Sequence, residues 1–255
     1  MAGFKQALLK PLELILGLMP PSLAEPLIVA LARAAARRLA PAEGLALLLR
    51  LDNAIYELTG QAGVAYEGGA GHPRHRLIGY HDFFVSRLAQ GQRVLDVGCN
   101  TGLLAKSLAE RAGARVTGVD MEPRLIEVAR RDNPHPLVQY VAGDALVDLP
   151  SGEFEVVVLS NLLEHLPDRV GFLRALLASH HPQRLLIRVP LFERDWRVPL
   201  KKELGVEWRL DRTHHIEHTL ESFTAEMAAS GMELIHLESR WGEIWAEARP
   251  AGWEA

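Results

Sequence analysis

Residues 94–102 read Val-Leu-Asp-Val-Gly-Cys-Asn-Thr-Gly, an apolar run that breaks into a tight turn holding Gly98 and Gly102. An amphipathic segment, Leu103 to Ala112, follows at once. This succession predicts a buried strand, a glycine-rich loop and a helix start, the unit that brings backbone N–H groups close to a nucleotide-like ligand. It also restricts the fold, because a buried strand feeding a helix is the repeating element of an α/β sheet. The flanking sequence repeats the pattern. Strands are predicted at 93–97, 115–119, 137–141, 154–159 and 184–189, and helices at 102–112, 123–131 and 168–178. The apolar runs Val156 to Leu159 and Leu185 to Ile187 suit parallel strands covered on both faces. Right-handed crossovers then give a doubly wound sheet.

Three aspartates end strands at the same edge of that sheet. Asp96 lies inside the glycine motif, Asp120 ends Arg-Val-Thr-Gly-Val-Asp, and Asp144 follows Gly143 after the third strand. A carboxylate at Asp96 repels a pyrophosphate, so the ligand should offer a cation or hydroxyls. That points away from NAD and toward S-adenosylmethionine (SAM), which carries an amino group and a sulfonium and no phosphate. Asp120 can accept from ribose hydroxyls and Asp144 from the adenine amino group.

The 255 residues accommodate one α/β domain with an added segment. A net charge of −4 gives no global electrostatic case for nucleic acid. Cys99 is the only cysteine, which excludes an internal disulfide and a cysteine-rich metal site and is consistent with a reducing, cytoplasmic setting. The apolar run Leu12 to Met19 is interrupted by Glu13, ended by Pro20-Pro21, and too short to span a bilayer.

Residues 1–90 form a helical cap or lid segment in this reading, and 91–255 the SAM-binding domain. Pro26 is placed to open a helix through Leu27 to Leu39, and a second helix is predicted from Glu43 to Leu58. Gly60 to Gly71 reads as flexible, and His72 to Leu88 as helical again. Residues 191–218 read as a substrate insertion whose Phe192 to Thr213 portion is irregular. A helix is predicted at 219–230, then a hairpin from Met232 to Glu238 and Glu243 to Ala248, with Trp241-Gly242 between them.

With these pieces in place the chain resembles a class I SAM-dependent methyltransferase over about residues 80–250. The matching pieces are Val94 to Gly102, Val119-Asp120, Gly143-Asp144 and the block Phe154 to Leu166. The resemblance implies a Rossmann-like, seven-stranded, mostly parallel sheet whose last strand is antiparallel. It places Asp96, Gly98, Cys99, Asn100 and Gly102 around the methionine part of SAM, Asp120 and Met121 at the ribose, and Asp144 and Ala145 at the adenine, with Asn161 lining the crevice. Asn100 stands where many members have glycine, and asparagine tolerates a left-handed backbone.

At the methyl-donor end stand Glu164 and His165, with His214 from the later stretch Thr213 to His218. Carboxylate and imidazole ligands suit Mn²⁺, Fe²⁺, Co²⁺ or Zn²⁺ better than Mg²⁺. The group resembles that of metal-dependent small-RNA 2′-O-methyltransferases and, more loosely, of ubiquinone-pathway O-methyltransferases. Those use Glu-x-x-Glu-His, and here Asn161 replaces the first Glu. In the RNA enzymes the later His precedes an aromatic-Glu pair, and here His214 precedes Ile216-Glu217. Three readings stay open: a divalent metal on Glu164, His165 and His214; a metal-free general base at His165 or His214; or side chains that only line the pocket.

His72, His75 and His81, with Tyr66 and Tyr80, read either as a lid over the SAM crevice or as a solvated helix start. Arg188, Glu193, Arg194 and Asp195 read as contacts to sugar hydroxyls or phosphate, with Trp196 stacking on a flat face, or as ordinary surface charge. The first expectation for the acceptor is a hydroxyl on a saccharide or glycolipid. A quinone or lipid-like phenol comes second and RNA third. A SAM-binding regulatory protein without turnover is the alternative outside enzymes. The basic N-terminal helices are expected to cap the domain or pair in a homodimer, with peripheral contact at the inner membrane surface as the alternative.

Overall fold

The computed structural model describes residues 2–68 and 71–252, the side chains of residues 2–8 excepted. It divides into two units, residues 1–59 with 200–207, and residues 60–199 with 208–255.

The larger unit is built on a seven-stranded sheet. Its strands are β1 (Arg93–Val97), β2 (Arg115–Asp120), β3 (Val138–Ala142), β4 (Val156–Ser160), β5 (Arg184–Pro190), β6 (Met232–Arg240) and β7 (Glu243–Pro250), in the order β3-β2-β1-β4-β5-β7-β6. The first five are parallel, and β7 runs antiparallel to both β5 and β6. The β6–β7 hairpin therefore sits on one side of the parallel strands, and the chain order reverses beside β1, where an open α/β sheet binds its ligand.

Two apolar layers cover the sheet. One gathers Leu95, Val97, Val157, Leu159, Leu185 and Ile187 with Phe172, Leu173 and Leu176 of α8 (Arg169–His180) and Phe223 and Met227 of α10 (Leu220–Ala229). The other packs Val94, Val116, Val156 and Val158 against α6 (Leu103–Ala112) and α7 (Pro123–Asp132). The alternation along β1 and β4 sends successive side chains to opposite layers, and both are dry, as a doubly covered strand requires.

The smaller unit holds α1 (Ala2–Leu18), α2 (Pro21–Arg37) and most of α3 (Pro41–Tyr66). Its core is small: Ala46 and Leu49 pack against Leu200, Leu204 and Val206. Lys201 donates to Asp52 at 2.8 Å and Asn53 at 2.7 Å, and Asn53 donates to the Glu207 carbonyl at 2.7 Å. Helices α2 and α3 meet backbone to backbone, since a Cβ at Gly44 would fall 2.7 Å from the Ala36 carbonyl oxygen.

Four local expectations are corrected. α2 starts at Pro21 and continues through Pro26, which lies inside the helix and leaves out the one hydrogen bond its amide would have made to Ser22. α3 runs to Tyr66, through glycines read as flexible; a Cβ at Gly63 would fall 3.0 Å from the Pro73 ring, so glycine there serves packing. The helix expected from His72 to Leu88 is broken into α4 (Arg74–Ile78) and α5 (Tyr80–Val85) by the left-handed Gly79, φ 65°. The insertion contains α9 (Arg197–Glu203): Pro199 sits in its first turn, where no amide hydrogen is needed, and Asp195 accepts from the Arg197 N–H at 2.8 Å.

A charged lock joins α8 to α10. Arg169 makes a two-pronged contact to Glu226 at 2.6–3.0 Å, and Glu226 also meets Nε2 of the fully buried His218 at 2.9 Å. Burial raises the Glu226 pKa, but its bonds to His218 and Arg169 outweigh that and hold it at about 2. Its contribution is therefore full above the unfolded value near 4.5 and is lost as pH falls through about 2. Glu226→Gln leaves a buried guanidinium unpaired and should cost about 3 kcal/mol in denaturant unfolding at pH 7. The gap between wild type and variant should close as the pH falls toward 2; a gap that stays constant would contradict this role.

Candidate active site

The glycine loop is fixed by its neighbours. The amides of Gly98 and Cys99 both donate to the Val119 carbonyl, at 2.8 and 2.9 Å, which turns the chain sharply at the end of β1. Asn100 takes the left-handed conformation expected of it, φ 50°, and its side chain accepts from the Thr101 N–H at 2.7 Å. Gly102 has φ 80°, and a Cβ there would fall 2.5 Å from the Tyr140 hydroxyl. Gly118, in mid-strand, makes room for Cys99, whose Sγ would be 3.0 Å from a Cβ at that position.

The three aspartates end their strands at one edge, as expected, but in different settings. Asp120 accepts from the amides of Asn100 at 2.9 Å and Glu122 at 3.0 Å, so it also ties β2 to the loop. Asp144 accepts from the Leu146 amide at 2.9 Å and closes a turn after β3. Asp96 is buried, and its Oδ2 has no hydrogen-bond partner. Burial, reinforced by the Asp120 charge, pushes its pKa up to about 7. Met121, next to Asp120, is exposed, and Ala145 packs against the sheet core.

The other end of the edge is built on β4. Asn161 is left-handed, φ 55°, and its amide donates to the Arg188 carbonyl at 2.7 Å. A single 3₁₀ turn, Leu163–His165, follows and turns Glu164 inward. Glu164 is 0% exposed, and neither of its carboxylate oxygens has a hydrogen-bond partner. Burial pushes its pKa up to about 8. The segment that brings His214 is docked here by the His215 N–H, which donates to the Glu164 carbonyl at 2.7 Å. One ligand atom from each of Glu164, His165 and His214 lies within 4.8 Å of the others. The sequence-predicted cluster therefore assembles.

Hydrogen bonds set the tautomer of both rings. The Thr213 hydroxyl donates to Asp211 at 2.7 Å, so at 2.9 Å it accepts from His165 Nδ1–H. His214 Nδ1–H donates to Glu217 at 3.1 Å. Each ring is left with an Nε2 lone pair, and the two rings meet edge to face, 4.7 Å between centroids. Glu217 is itself held by Arg194 and the Leu210 amide; burial raises its pKa, and these bonds with that from His214 lower it below the ordinary value overall. Burial first, and then the His214 charge, lowers the His165 pKa, which favours the neutral ring. Two imidazole lone pairs beside a buried carboxylate with both oxygens open form a donor set that fits a divalent cation. Asn161 Oδ1 is also buried and unpartnered.

The residues expected to contact a sugar are committed elsewhere. Arg188 is buried, makes paired bonds to Glu243 at 2.7 and 2.9 Å, donates to Ser160 at 3.2 Å and lies 3.8 Å from the Tyr80 ring centroid. Arg194 donates to Glu217, to the Leu191 carbonyl at 3.0 Å and to the Trp208 carbonyl at 2.8 Å. Asp195 pairs with Arg197 at 2.7 Å. Trp196 is exposed. Nothing in the sequence marked Glu243, which also accepts from Trp245 Nε1 at 2.9 Å and from Arg74 at 2.6 Å. That network depends on the β5–β7 register, in which Arg188 faces Trp245 and Pro190 faces Glu243. The Glu217 and Thr213 roles were equally hidden, except that Glu217 stands three residues after His214.

The histidine group before β1 is partly as expected. His75 Nδ1 meets the Tyr80 hydroxyl at 3.2 Å, and His81 packs edge-on to the Tyr80 ring at 4.4 Å. His72 instead accepts from the Arg74 amide at 3.1 Å, and Tyr66 is largely exposed and outside the group.

A model of the methyltransferase domain family matches residues 70–237. A ubiquinone biosynthesis O-methyltransferase of Methylocella silvestris is 40% identical over 113 residues, 43% of this chain and 44% of that one. One of Bordetella parapertussis is 34% identical over 149 residues, 56% of this chain and 61% of that one. The chain thus spans about half the length of the curated relatives it matches. The crystal structure of magnesium protoporphyrin IX methyltransferase from Synechocystis PCC 6803 with bound SAH superposes with a TM-score of 0.55 at 19% identity, over 68% of this chain and 82% of that one. At that identity the likeness is one of fold. This chain belongs to the methyltransferase domain family, and its sheet is that of the class I SAM-dependent methyltransferases.

Burial holds His75 and His81 at pKa about 4, with the Arg74 charge adding to it at His75 and the His75 charge at His81. The unfolded chain takes up their protons near pH 6.5 while the folded chain does not, so these two rings make stability fall from pH 6.5 toward 4. Asp96 acts in the opposite sense over its own range, so the test is a difference. The double variant His75→Gln, His81→Gln should lose less melting temperature than wild type between pH 7 and pH 5. Equal losses would contradict the assignment.

Proposed function

We propose that this chain transfers a methyl group from SAM to a hydroxyl of a phenolic, quinone-like small molecule, assisted by a divalent cation on Glu164, His165 and His214. The observation that carries the proposal is the buried Glu164 carboxylate with no partner, gathered with two imidazoles whose Nδ1 atoms are held by Thr213 and Glu217. The names of the curated relatives support an oxygen acceptor of quinone type. The internal commitment of Arg188 and Arg194 takes away two of the five contacts expected for a saccharide acceptor.

In this reading the loop of Gly98, Cys99, Asn100 and Gly102 wraps the methionine part of SAM, and Asp96 pairs with its amino group. Asp120 takes the ribose hydroxyls with the lone pairs its amide partners leave open. Met121 offers an apolar surface to the adenine, and Asp144 with Ala145 borders its edge. Asn161 lines the methyl-donor end. Methyl transfer is a direct displacement at carbon, so these residues must hold donor and acceptor in line while the acceptor hydroxyl gives up its proton.

A cation held by the three ligands would supply a lowered pKa to that hydroxyl. One carboxylate, two imidazoles and the neutral Asn161 favour Mn²⁺, Fe²⁺, Co²⁺ or Zn²⁺ over Mg²⁺. The second reading, His165 as a metal-free base, is favoured by its lowered pKa and half-buried position. Trp196 and Trp241 expose flat apolar faces. Trp241 adjoins the 191–194 segment through Gly242, whose carbonyl accepts from the Leu191 amide at 2.9 Å.

The test is SAH release from SAM with a polyprenylated dihydroxyphenol, a simple catechol, a saccharide and RNA as acceptors, before and after chelation. Turnover with the phenols, lost on chelation and restored by Mn²⁺ or Zn²⁺, is expected. His214→Ala should reduce it about 100-fold while SAM affinity is retained. Turnover that survives complete metal removal would overturn the cation and leave His165 as base. Turnover with sugar or RNA alone would overturn the acceptor.

A further inference from the structure

The smaller unit leaves an unusual amount of apolar side chain uncovered. α2 buries none of its side chains, and Leu23, Ile28, Val29 and Leu31 on it are each 48–57% exposed. α1 adds exposed Leu14, Ile15 and Leu18, and α3 adds Ile55 and Leu58. A soluble surface rarely carries this density of large aliphatic groups without a partner. The rest of the unit does not account for it, because its core is limited to a few residues of α3 and the 200–207 segment.

Charge says what kind of partner fits. Residues 1–40 hold five cations (Lys5, Lys10, Arg33, Arg37, Arg38) and two carboxylates (Glu13, Glu25), in a chain whose net charge is −4. Arg33 and Arg37 lie four residues apart on one strip of α2, Arg38 follows at its end, and all three are exposed, with no carboxylate partner among the described residues. A two-fold contact between copies buries one self-complementary patch and would bring the like-charged arginines of the two chains together. An anionic lipid surface accepts both features, since headgroups take the guanidinium groups and the acyl boundary takes the aliphatic ones. Among the described residues no helix is long and apolar enough to cross a membrane, so the contact lies along the surface.

We infer that the helical unit formed by α1, α2 and the first part of α3 docks the protein peripherally on membranes rich in anionic phospholipid, through Arg33, Arg37, Arg38 and the neighbouring aliphatic side chains. The inference stands apart from the choice of methyl acceptor, because it rests on a different unit and is read by binding alone.

The experiment is co-sedimentation of the full chain with vesicles of phosphatidylcholine alone and of phosphatidylcholine mixed with phosphatidylglycerol. Binding to the mixed vesicles, little binding to the neutral ones, and release by high salt are expected. Each of Arg33→Gln, Arg37→Gln and Arg38→Gln should weaken binding about fivefold. Leu31→Ser tests the apolar part and should weaken it at constant charge. An unchanged far-UV helical signal, together with unchanged SAM binding, shows that both units of each variant are folded. Equal binding to both vesicle types, or no binding together with a dimer in light scattering, would overturn the inference; the second result would give the apolar surface to another copy of the chain.

Discussion

The carboxylate of Glu164 is enclosed by protein and meets no hydrogen-bond donor, and the acceptor end of the crevice is arranged around it. A buried carboxylate without a partner is costly, and its raised pKa is one sign of that cost. Its position is nevertheless over-determined. The 3₁₀ turn after β4 aims it inward, and its own carbonyl receives the amide of His215. The same amide bond brings His214 alongside. The two imidazoles are in turn oriented by groups that touch nothing else in the cluster: Asp211 acts through Thr213, and Arg194 acts through Glu217. Four supporting groups thus fix two ring orientations, the arrangement on which the proposed cation site rests.

A second charged group stands next to it with the opposite character. Arg188, Glu243, Arg74 and Tyr80 satisfy one another across β4, β5, β7 and the short helices before β1. This network is closed, whereas the Glu164 cluster is open. The contrast separates the two groups more sharply than burial does, because each has a buried carboxylate at its centre, Glu243 in one and Glu164 in the other. It also links the 74–81 segment to the sheet edge, which gives that segment a fixed seat beside the crevice.

Much of the larger unit is legible in the sequence because a parallel sheet covered on both faces leaves unbroken apolar runs. Val156 to Leu159 could be read that way directly, and the loop at 94–102 fixed the edge at which ligand residues had to appear. The cluster of Glu164, His165 and His214 was also legible, since the first two follow the fourth strand at once. What the sequence hid were effects of packing across distance. Gly60 and Gly63 looked like flexibility and are helical, and at Gly63 the Pro73 ring packs where a Cβ would stand. Arg188 looked like a ligand contact and is a core residue because the antiparallel return of β7 delivers Glu243 to it. Thr213 carried no signal, since its role exists only once the 211–215 segment has closed on β4.

The account turns on both imidazoles of the Glu164 cluster using Nδ1 for their protein partners and keeping Nε2 free of a proton. Long-range ¹H–¹⁵N correlation spectra of the metal-free protein, assigned with His165→Gln and His214→Gln, read the protonated nitrogen of each ring. Nδ1 of each ring should carry a proton, with Nε2 resonating as an unprotonated nitrogen. A proton on Nε2 of either ring would contradict the arrangement, and with it the case for a cation held between them.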